Sequence, residues 1–592
     1  MAFINIIGSL LVLGAALFYK YIFPKKNINL FALLIILSLL PLISLLRIGD
    51  YESGDFNIHI YRTMSFYQNL LDGNFIPSWA GMLNGTYGYP LFIFINPLPY
   101  YLMSFIHFVG FSFIISIKLF LGFSFVFSGV FMYLFTKETL RNDLAAFTAS
   151  VFYLFVPYHL VDLHFRNDVG EILCFTLIPL LLFFIYKLFK HGAIIYVLWT
   201  GLVFALLIMS HQAIALLTLW LVIPLLIMGV LREPKKLKEI KLWIKIFVAF
   251  CLGALISAYV WVPYITYVKY TLASEIFTRL PIFVNFSDLL YSPWRFGFLF
   301  QGPKGELSFL IGYMQIFVFL ALVIYLLLKR HKANHARELI VWLITTAFLV
   351  FLLTRFSEII WLIVPIMKNT LIASRILSVL AFSISFTAGY FALLNLNKKT
   401  VIFIVVILAI GTTLLNWGNR RVIPEITDTT LKNNLPYSTS QGEALSWDNT
   451  IWYSNKNVWI NKVPVSKIDV IRGVAKITIL CFTSTKHYFS VNSTGGATLK
   501  DNTLYFPGWD VMINGKQADI NFMNKQYPGI ITFNVPAGQT RVIVEYKDLP
   551  MLQVLKFVFI LSLVIILSYT IALVYKDPKL VKAWKKVRKR FA

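Results

Sequence analysis

Residues 172–188 read ILCFTLIPLLLFFIYKL, an apolar run whose one charge, Lys187, comes at its end. A helix that is apolar all round has no face to offer water, whereas a bilayer core takes about 20 such residues as one span. Twelve more stretches share this character. In order, the thirteen expected spans lie roughly at 2–19, 29–46, 112–135, 144–160, 172–188, 193–209, 213–231, 246–266, 309–328, 339–354, 376–394, 400–416 and 553–575. Hydrophobic residues fill 58% of 592 positions and mean hydropathy is +0.74, above the roughly one half apolar content of soluble domains. The chain is expected to be a polytopic α-helical membrane protein, with residues 1–23 a retained span because no basic leader region precedes them.

The net charge of +26 does not point to nucleic acid, because the basic residues follow the connections between spans. Lys137 and Arg141, Lys187 and Lys190, the 232–245 segment, Lys398 and Lys399, and the tail from Lys576 to Arg590 fall in every second connection. The positive-inside rule then puts the N-terminus outside and the C-terminus in the cytoplasm, with the basic tail against anionic lipid. Of the three cysteines only Cys481 lies outside the spans, so no disulfide framework is expected.

Between the expected twelfth and thirteenth spans the pattern changes. Residues 417–550 carry short alternating runs at 457–461, 467–471, 475–481, 487–491, 503–506, 511–513, 530–535 and 541–546, with turn signals at Asn514-Gly515 and Pro536-Ala537-Gly538. These are the marks of an extracytoplasmic all-β sandwich. The expected division is thus 1–416 for the membrane domain, 417–550 for the sandwich, and 551–592 for the last span and cytoplasmic tail.

Carboxylates collect in the outer connections, above all in the long first loop, residues 47–111. There the segment from Gly54 to Arg62 places Asp55, His59 and Arg62 at i, i+4 and i+7 on one helical stripe beside an apolar stripe of Phe56, Ile60 and Tyr67. This is the pattern of a helix lying in the membrane interface and offering an acid, an imidazole and a guanidinium. The second outer connection holds His159, Asp162, His164, Arg166, Asp168 and Glu171 within a turn or two of hydrocarbon, where charges must pair or meet a ligand. An Arg166 pair with Glu171 or Asp162 is the structural reading, and a ligand role is the other. His211 at the end of the sixth span reads more readily as a hydrogen-bonded helix-end residue than as a catalyst. Arg375, opening the eleventh, reads as a phosphate ligand or as a snorkelling side chain. No metal-ligand spacing and no glycine-rich phosphate loop is present, which disfavours nucleotide-sugar chemistry on the inner face.

The succession Gly54-Asp55-x-x-x-His59-x-x-Arg62, Gly73-x-x-x-Pro77-x-Trp79, Tyr87-Gly88-Tyr89-Pro90, Asn96-Pro97-Leu98-Pro99-Tyr100-Tyr101, Asp162-Leu163-x-x-Arg166-x-x-x-x-Glu171 and Ser210-His211-Gln212 resembles the bacterial integral membrane family labelled 6-pyruvoyl-tetrahydropterin synthase-related, akin to YfhO-type proteins. The stretch Tyr505-Phe506-Pro507-Gly508-Trp509, followed by Asn514-Gly515-Lys516, is similar to the closing domain of those proteins. The resemblance implies a GT-C type membrane glycosyltransferase whose first outer loop carries an acidic catalytic residue, here Asp55, and whose donor is a polyprenyl-phosphate-linked sugar. On that basis Asp55 is expected as general base with His59 orienting it. Arg62, Asp162, Arg166, Glu171, His211 and Arg375 are expected around the donor phosphate, and an envelope glycan or glycolipid as acceptor. Metal or other cofactor use is left open. A flippase for lipid-linked saccharide and a non-catalytic envelope assembly protein are the alternatives, and nucleic acid is not an expected partner.

Overall fold

The computed structural model describes residues 1–272, 282–291, 308–329, 335–364, 367, 372–395, 397–414, 417–418, 421–434, 450–452 and 463–576. Every expected span overlaps a helix. Among the described residues seven helices are long and apolar enough to cross a membrane, or nine when each of two bent pairs is one span. The remaining expected stretches are Leu30–Leu46, Ile194–Ser210, Tyr313–Leu328 and Lys399–Gly411, apolar helices of 10–17 residues. At about 1.5 Å per residue, these reach at most some 25 Å, short of a hydrocarbon core about 30 Å thick. The expected thirteen therefore stands above what helix length supports.

The helix Ile376–Leu394 is buried along nearly its whole length and forms the centre of the bundle. Pro550–Lys576 and Ala2–Ile22 lie at its edge, with Phe3, Leu10, Leu17, Val554, Phe557 and Leu561 exposed for lipid. Two bends matter for function. Asp143–Leu154 and Pro157–Arg166 meet at 48°, because Pro157 starts a new helix and holds Val156 in extended backbone. The second piece ends in a π-helical turn, Asp162–Arg166, closed by Asn167 in the left-handed region at φ +59°. Ile240–Ile256 and Ala258–Tyr270 meet at 65°.

Polar groups gather at the two ends of the bundle. At one end Arg232 pairs with Glu338 at 2.6 Å, Tyr390 donates to the same carboxylate, and Lys187 and Lys190 share Glu138. These are connections expected in the cytoplasm. At the other end the first loop, the 421–434 segment and the C-terminal sheet meet. Strand β1 (Asp50–Tyr51) pairs with β2 (Val422–Ile423), and Asp428 accepts from the Phe113 N–H. Lys118 and Lys556, which in sequence look like charges in the middle of spans, both reach this end. Lys118 donates to the carbonyls of Arg47 and Gly49, and Lys556 to the carbonyl of Ile76, Ser78 and Asp548.

The C-terminal domain is an antiparallel sheet of β3 (Ile468–Phe482), β4 (Lys486–Leu504), β5 (Trp509–Ile513), β6 (Lys516–Ala518), β7 (Ile530–Val535) and β8 (Gly538–Tyr546). The order is β3-β4-β8-β5-β6, with β7 also on β4. The first half of the long β4 pairs with β8 and its second half with β7, so one strand serves both halves of the domain. Phe489, Val491, Leu499, Val511, Phe533, Val542 and Val544 alternate inward and are buried. The turn Asn514-Gly515 has φ of +49° and +81° and joins Ile513 to Lys516, the geometry two-residue hairpins require. The expected strand at 457–461 and the basic tail from 577 lie outside the described residues.

The sheet is seated on the first loop. Trp79, 1% exposed, meets Trp509 edge-on at 5.2 Å and stacks on Tyr546 at 5.5 Å. Around it the Ser484 N–H donates to Asp72, the Leu504 N–H to the Tyr87 carbonyl, and Lys467 to the Thr86 carbonyl. Trp79→Ala should cost about 3–5 kcal/mol. It is expected to show as faster proteolysis of residues 73–90, while a membrane-end control, Trp243→Ala, leaves that rate unchanged.

Candidate functional site

The site is built where the first and second outer connections cross. The Gly54 N–H donates to the Phe165 carbonyl at 2.6 Å and the Asp55 N–H to the Arg166 carbonyl at 2.8 Å. A side chain at Gly54 would stand 3.0 Å from the Arg166 carbonyl oxygen, so glycine allows this approach. Asp55 caps the helix Phe56–Leu71, and the His59 N–H returns to the Asp55 carbonyl. The expected interfacial helix is thus more deeply set than its amphipathic pattern suggests. Phe56, His59, Ile60, Thr63 and Phe66 are all buried against protein, because the helix Leu98–Phe108 covers its other side.

The bend after Leu154 brings the second connection back over this helix. Arg166 Nη1 donates to Glu171 Oε2 at 2.5 Å and to the Tyr158 hydroxyl at 2.6 Å, and Nη2 reaches Asp168 Oδ2 at 3.3 Å. Glu171 Oε1 accepts from Ser378 and Tyr158. Asp168 Oδ1 accepts the N–H groups of Gly170 and Glu171, capping the helix Val169–His191 where its dipole favours an anion. His211 Nε2 lies 3.9 Å from Asp168 Oδ2, while its Nδ1 accepts from the Ile214 N–H as cap of the next helix. Asp162 is fully buried; its Oδ1 accepts from the Asp168 N–H and its Oδ2 has no hydrogen-bond partner among the described residues.

Two electrostatic consequences follow outside the spans. Burial, and then the neighbouring Asp168 carboxylate, raise the Asp55 pKa against the pull of Arg166, Arg62 and Arg375. Burial opposes charge at Asp168 too, but Arg166, His211, His59 and Arg375 outweigh it and hold that carboxyl well below its ordinary range. Two acids in one site are thereby driven apart, the arrangement that lets one stay a fixed anion while the other exchanges a proton. Asp55 senses Arg62, Arg166 and Arg375 together, so the structure groups the expected acid with three of the expected cations.

Three expected roles change. His59 Nδ1 bonds the Tyr100 hydroxyl at 2.9 Å rather than Asp55, and burial, reinforced by Arg62, lowers its pKa to about 3. It is a neutral ring that fixes Tyr100. Arg166 is spent on Glu171, Asp168 and Tyr158, which makes it a positioning group, while Arg62 and Arg375 are the other two cations that act on Asp55. Glu171, enclosed by Arg166, Tyr158 and Ser378, belongs to the same scaffold. In sequence Asp168 reads only as one charge of the second outer connection and Tyr100 only as part of the Asn96–Tyr101 motif, and Tyr158 and Ser378 have no assigned role. Asp168 had a signal, since an aspartate three residues before Glu171 at the head of an apolar run is a capping pattern. The others are brought in by tertiary folding.

His59 gives a pH test. Folded it titrates at about 3 and unfolded near 6.5, so between those values the unfolded chain binds the extra proton. Stability present above pH 6.5 is lost as pH falls. At pH 5 the loss is about 2 kcal/mol at 1.36 kcal/mol per pK unit. Melting of the purified protein from pH 7 to 5 should show this loss, and His59→Gln should flatten the slope by one proton's worth.

Residues 92–420, more than half of the chain, match the family model of the 6-pyruvoyl-tetrahydropterin synthase related domain, described as a membrane protein. An uncharacterized protein of Lactococcus lactis subsp. cremoris (strain MG1363) is 24% identical over 328 residues, 54% of this chain and 52% of that protein. The chain therefore spans about half the length of the curated relative it matches. Among solved structures, mycobacterial arabinofuranosyltransferase AftD aligns with TM-score 0.35 and 16% identity, over 67% of this chain and 27% of that one. Arabinosyltransferase EmbB from Mycobacterium smegmatis aligns with TM-score 0.36 and 11% identity, over 89% and 63%. The Archaeoglobus fulgidus oligosaccharyltransferase aligns with TM-score 0.34 and 15% identity, over 66% and 56%. At these scores the structural likenesses are weak. Among the described residues no group of three or more His, Cys, Asp or Glu is placed to hold a metal ion. The chain belongs to the 6-pyruvoyl-tetrahydropterin synthase-related family of membrane proteins.

Proposed function

We propose that this protein is a membrane glycosyltransferase that moves a sugar from a polyprenyl-phosphate donor to a hydroxyl of an envelope glycan or glycolipid. The observation that carries the reading is a half-buried Asp55 at the crossing of two loops, its carboxyl pKa raised by burial and by Asp168 against the pull of Arg166, Arg62 and Arg375. Asp55 takes the proton of the acceptor hydroxyl as that oxygen bonds the anomeric carbon. The bond from that carbon to the donor phosphate breaks, and the electron pair leaves on the lipid phosphate. A raised pKa makes the carboxylate a stronger proton acceptor. Arg62 and Arg375 offset the charge that grows on the departing phosphate, where preplaced cations act most. Arg166, with Glu171, Asp168 and Tyr158, holds the backbone that clamps Asp55.

In this reading the site end of the bundle is the outer face of a bacterial inner membrane, with the N-terminus outside and the C-terminus inside. Residues 1–416 form the catalytic membrane domain, 417–550 the extracytoplasmic β domain, and 551–592 the last span and tail. The test is transfer in vesicles containing the purified protein, a polyprenyl-phosphoryl sugar and cell-envelope extract. Labelled sugar on envelope glycan, dependent on Asp55, supports the proposal. Movement of the lipid-linked sugar between leaflets with no product would replace it with the flippase reading.

A further inference from the structure

Strands β4, β8 and β5 lie side by side with Tyr488 opposite Ile543 and Ile543 opposite Met512. Their neighbours Phe489, Val542, Val544 and Val511 are buried in the domain, and Trp509 and Tyr546 on the same parity seat against Trp79. Alternation then turns Tyr488, Arg541, Ile543 and Met512 to the opposite face, away from the first loop and the helix bundle. They line a groove of about 580 Å³ completed by Asn514, Gly515 and Gln539.

We infer that this groove binds an anionic carbohydrate chain. Its floor is one aromatic ring beside two aliphatic side chains, a surface suited to the C–H face of a sugar ring. Its rim offers the Asn514 and Gln539 amides and the Arg541 guanidinium. Among the described residues the Arg541 guanidinium and the Gln539 amide have no hydrogen-bond or ion-pair partner. The two carboxylates on the same face lie at its other end, Glu545 matched by Lys486 at 3.3 Å and Lys547 at 3.7 Å, and Asp510, opposite Glu545, accepting from the Gln517 amide. Charge complementarity therefore asks for an acidic group on the ligand, which a guanidinium binds through two parallel hydrogen bonds. A lipid headgroup fits poorly, because the groove faces away from the bundle. An acidic peptide would supply the charge but not the ring faces for Tyr488.

The inference is separate from Asp55 chemistry, since binding is read without a donor. The full chain in nanodiscs of zwitterionic lipid is titrated with hexagalacturonate, neutral maltohexaose and hexaglutamate. Hexagalacturonate should bind saturably, and about ten-fold more tightly than either control. Arg541→Gln and Tyr488→Ala should each weaken it about ten-fold with unchanged melting, because both side chains lie on the domain surface. Asp55→Asn should leave it unaltered. No saturable binding, hexaglutamate binding as tight as the glycan, or indifference to both substitutions would overturn the inference.

Discussion

Asp55→Asn is expected to lower sugar transfer by about 10²–10⁴-fold, the range a positioned general base contributes, with the protein folded as before. The two halves of this expectation rest on different atoms. The fold uses the Asp55 backbone, whose N–H bonds the Arg166 carbonyl and whose carbonyl accepts from His59, and asparagine keeps both. The proposed chemistry uses the carboxylate, whose charge is opposed by burial and by Asp168. A neutral amide of the same shape relieves that repulsion, so melting should be unchanged or rise slightly. Asp168→Asn behaves differently: asparagine still caps the helix, but the ion pair to Arg166 is lost, so both stability and transfer fall. Steady transfer in vesicles with Asp55→Asn, at wild-type rate, would remove Asp55 from the mechanism.

What could be read from sequence divides along physical lines. The spans were legible because apolar composition over 17 or more residues is a local property, but the bend after Leu154 was not, and the expected span at 144–160 ran straight through Pro157. The cluster of Asp162, Arg166 and Glu171 was legible because buried charges must pair, and one of the two pairings considered, Arg166 to Glu171, is the one formed. The hairpin at Asn514-Gly515 was legible because few residues accept two positive φ values in succession. Long-range choices were not. His59 and Tyr100 are 41 positions apart, and nothing local tells the imidazole to bond a phenol rather than the nearer carboxylate. The seat of Trp79 between Trp509 and Tyr546 joins residues more than 400 positions apart, and an aromatic in a turn-rich loop reads equally as an interface anchor. The number of crossings is not confirmed by helix length, because among the described residues four of the thirteen expected stretches are apolar helices of 10–17 residues that look like spans in composition.

A loss of stability as large as that of Trp79→Ala is expected at Arg166→Met. Glu171 is fully buried and Asp168 largely so, and the guanidinium is their shared counter-charge at 2.5 and 3.3 Å. Methionine fills the space of the aliphatic stem but strands both carboxylates beside the buried Asp162, and removing one partner of a buried pair costs about 3–5 kcal/mol. Glu171→Gln added to Arg166→Met removes the fully buried one of the two stranded charges and should recover a large part of the loss, since replacing both partners is far less costly than breaking a pair. That double variant also separates two roles. If Arg166 acts only by holding the turn whose carbonyls clamp Gly54 and Asp55, restored folding brings back measurable transfer. If its guanidinium touches the donor phosphate, the double variant melts like wild type yet transfers no better than the single one. A single variant with unaltered melting would mean that the carboxylates are neutral in the folded protein, and the electrostatic frame around Asp55 would then have to rest on Arg62 and Arg375 alone.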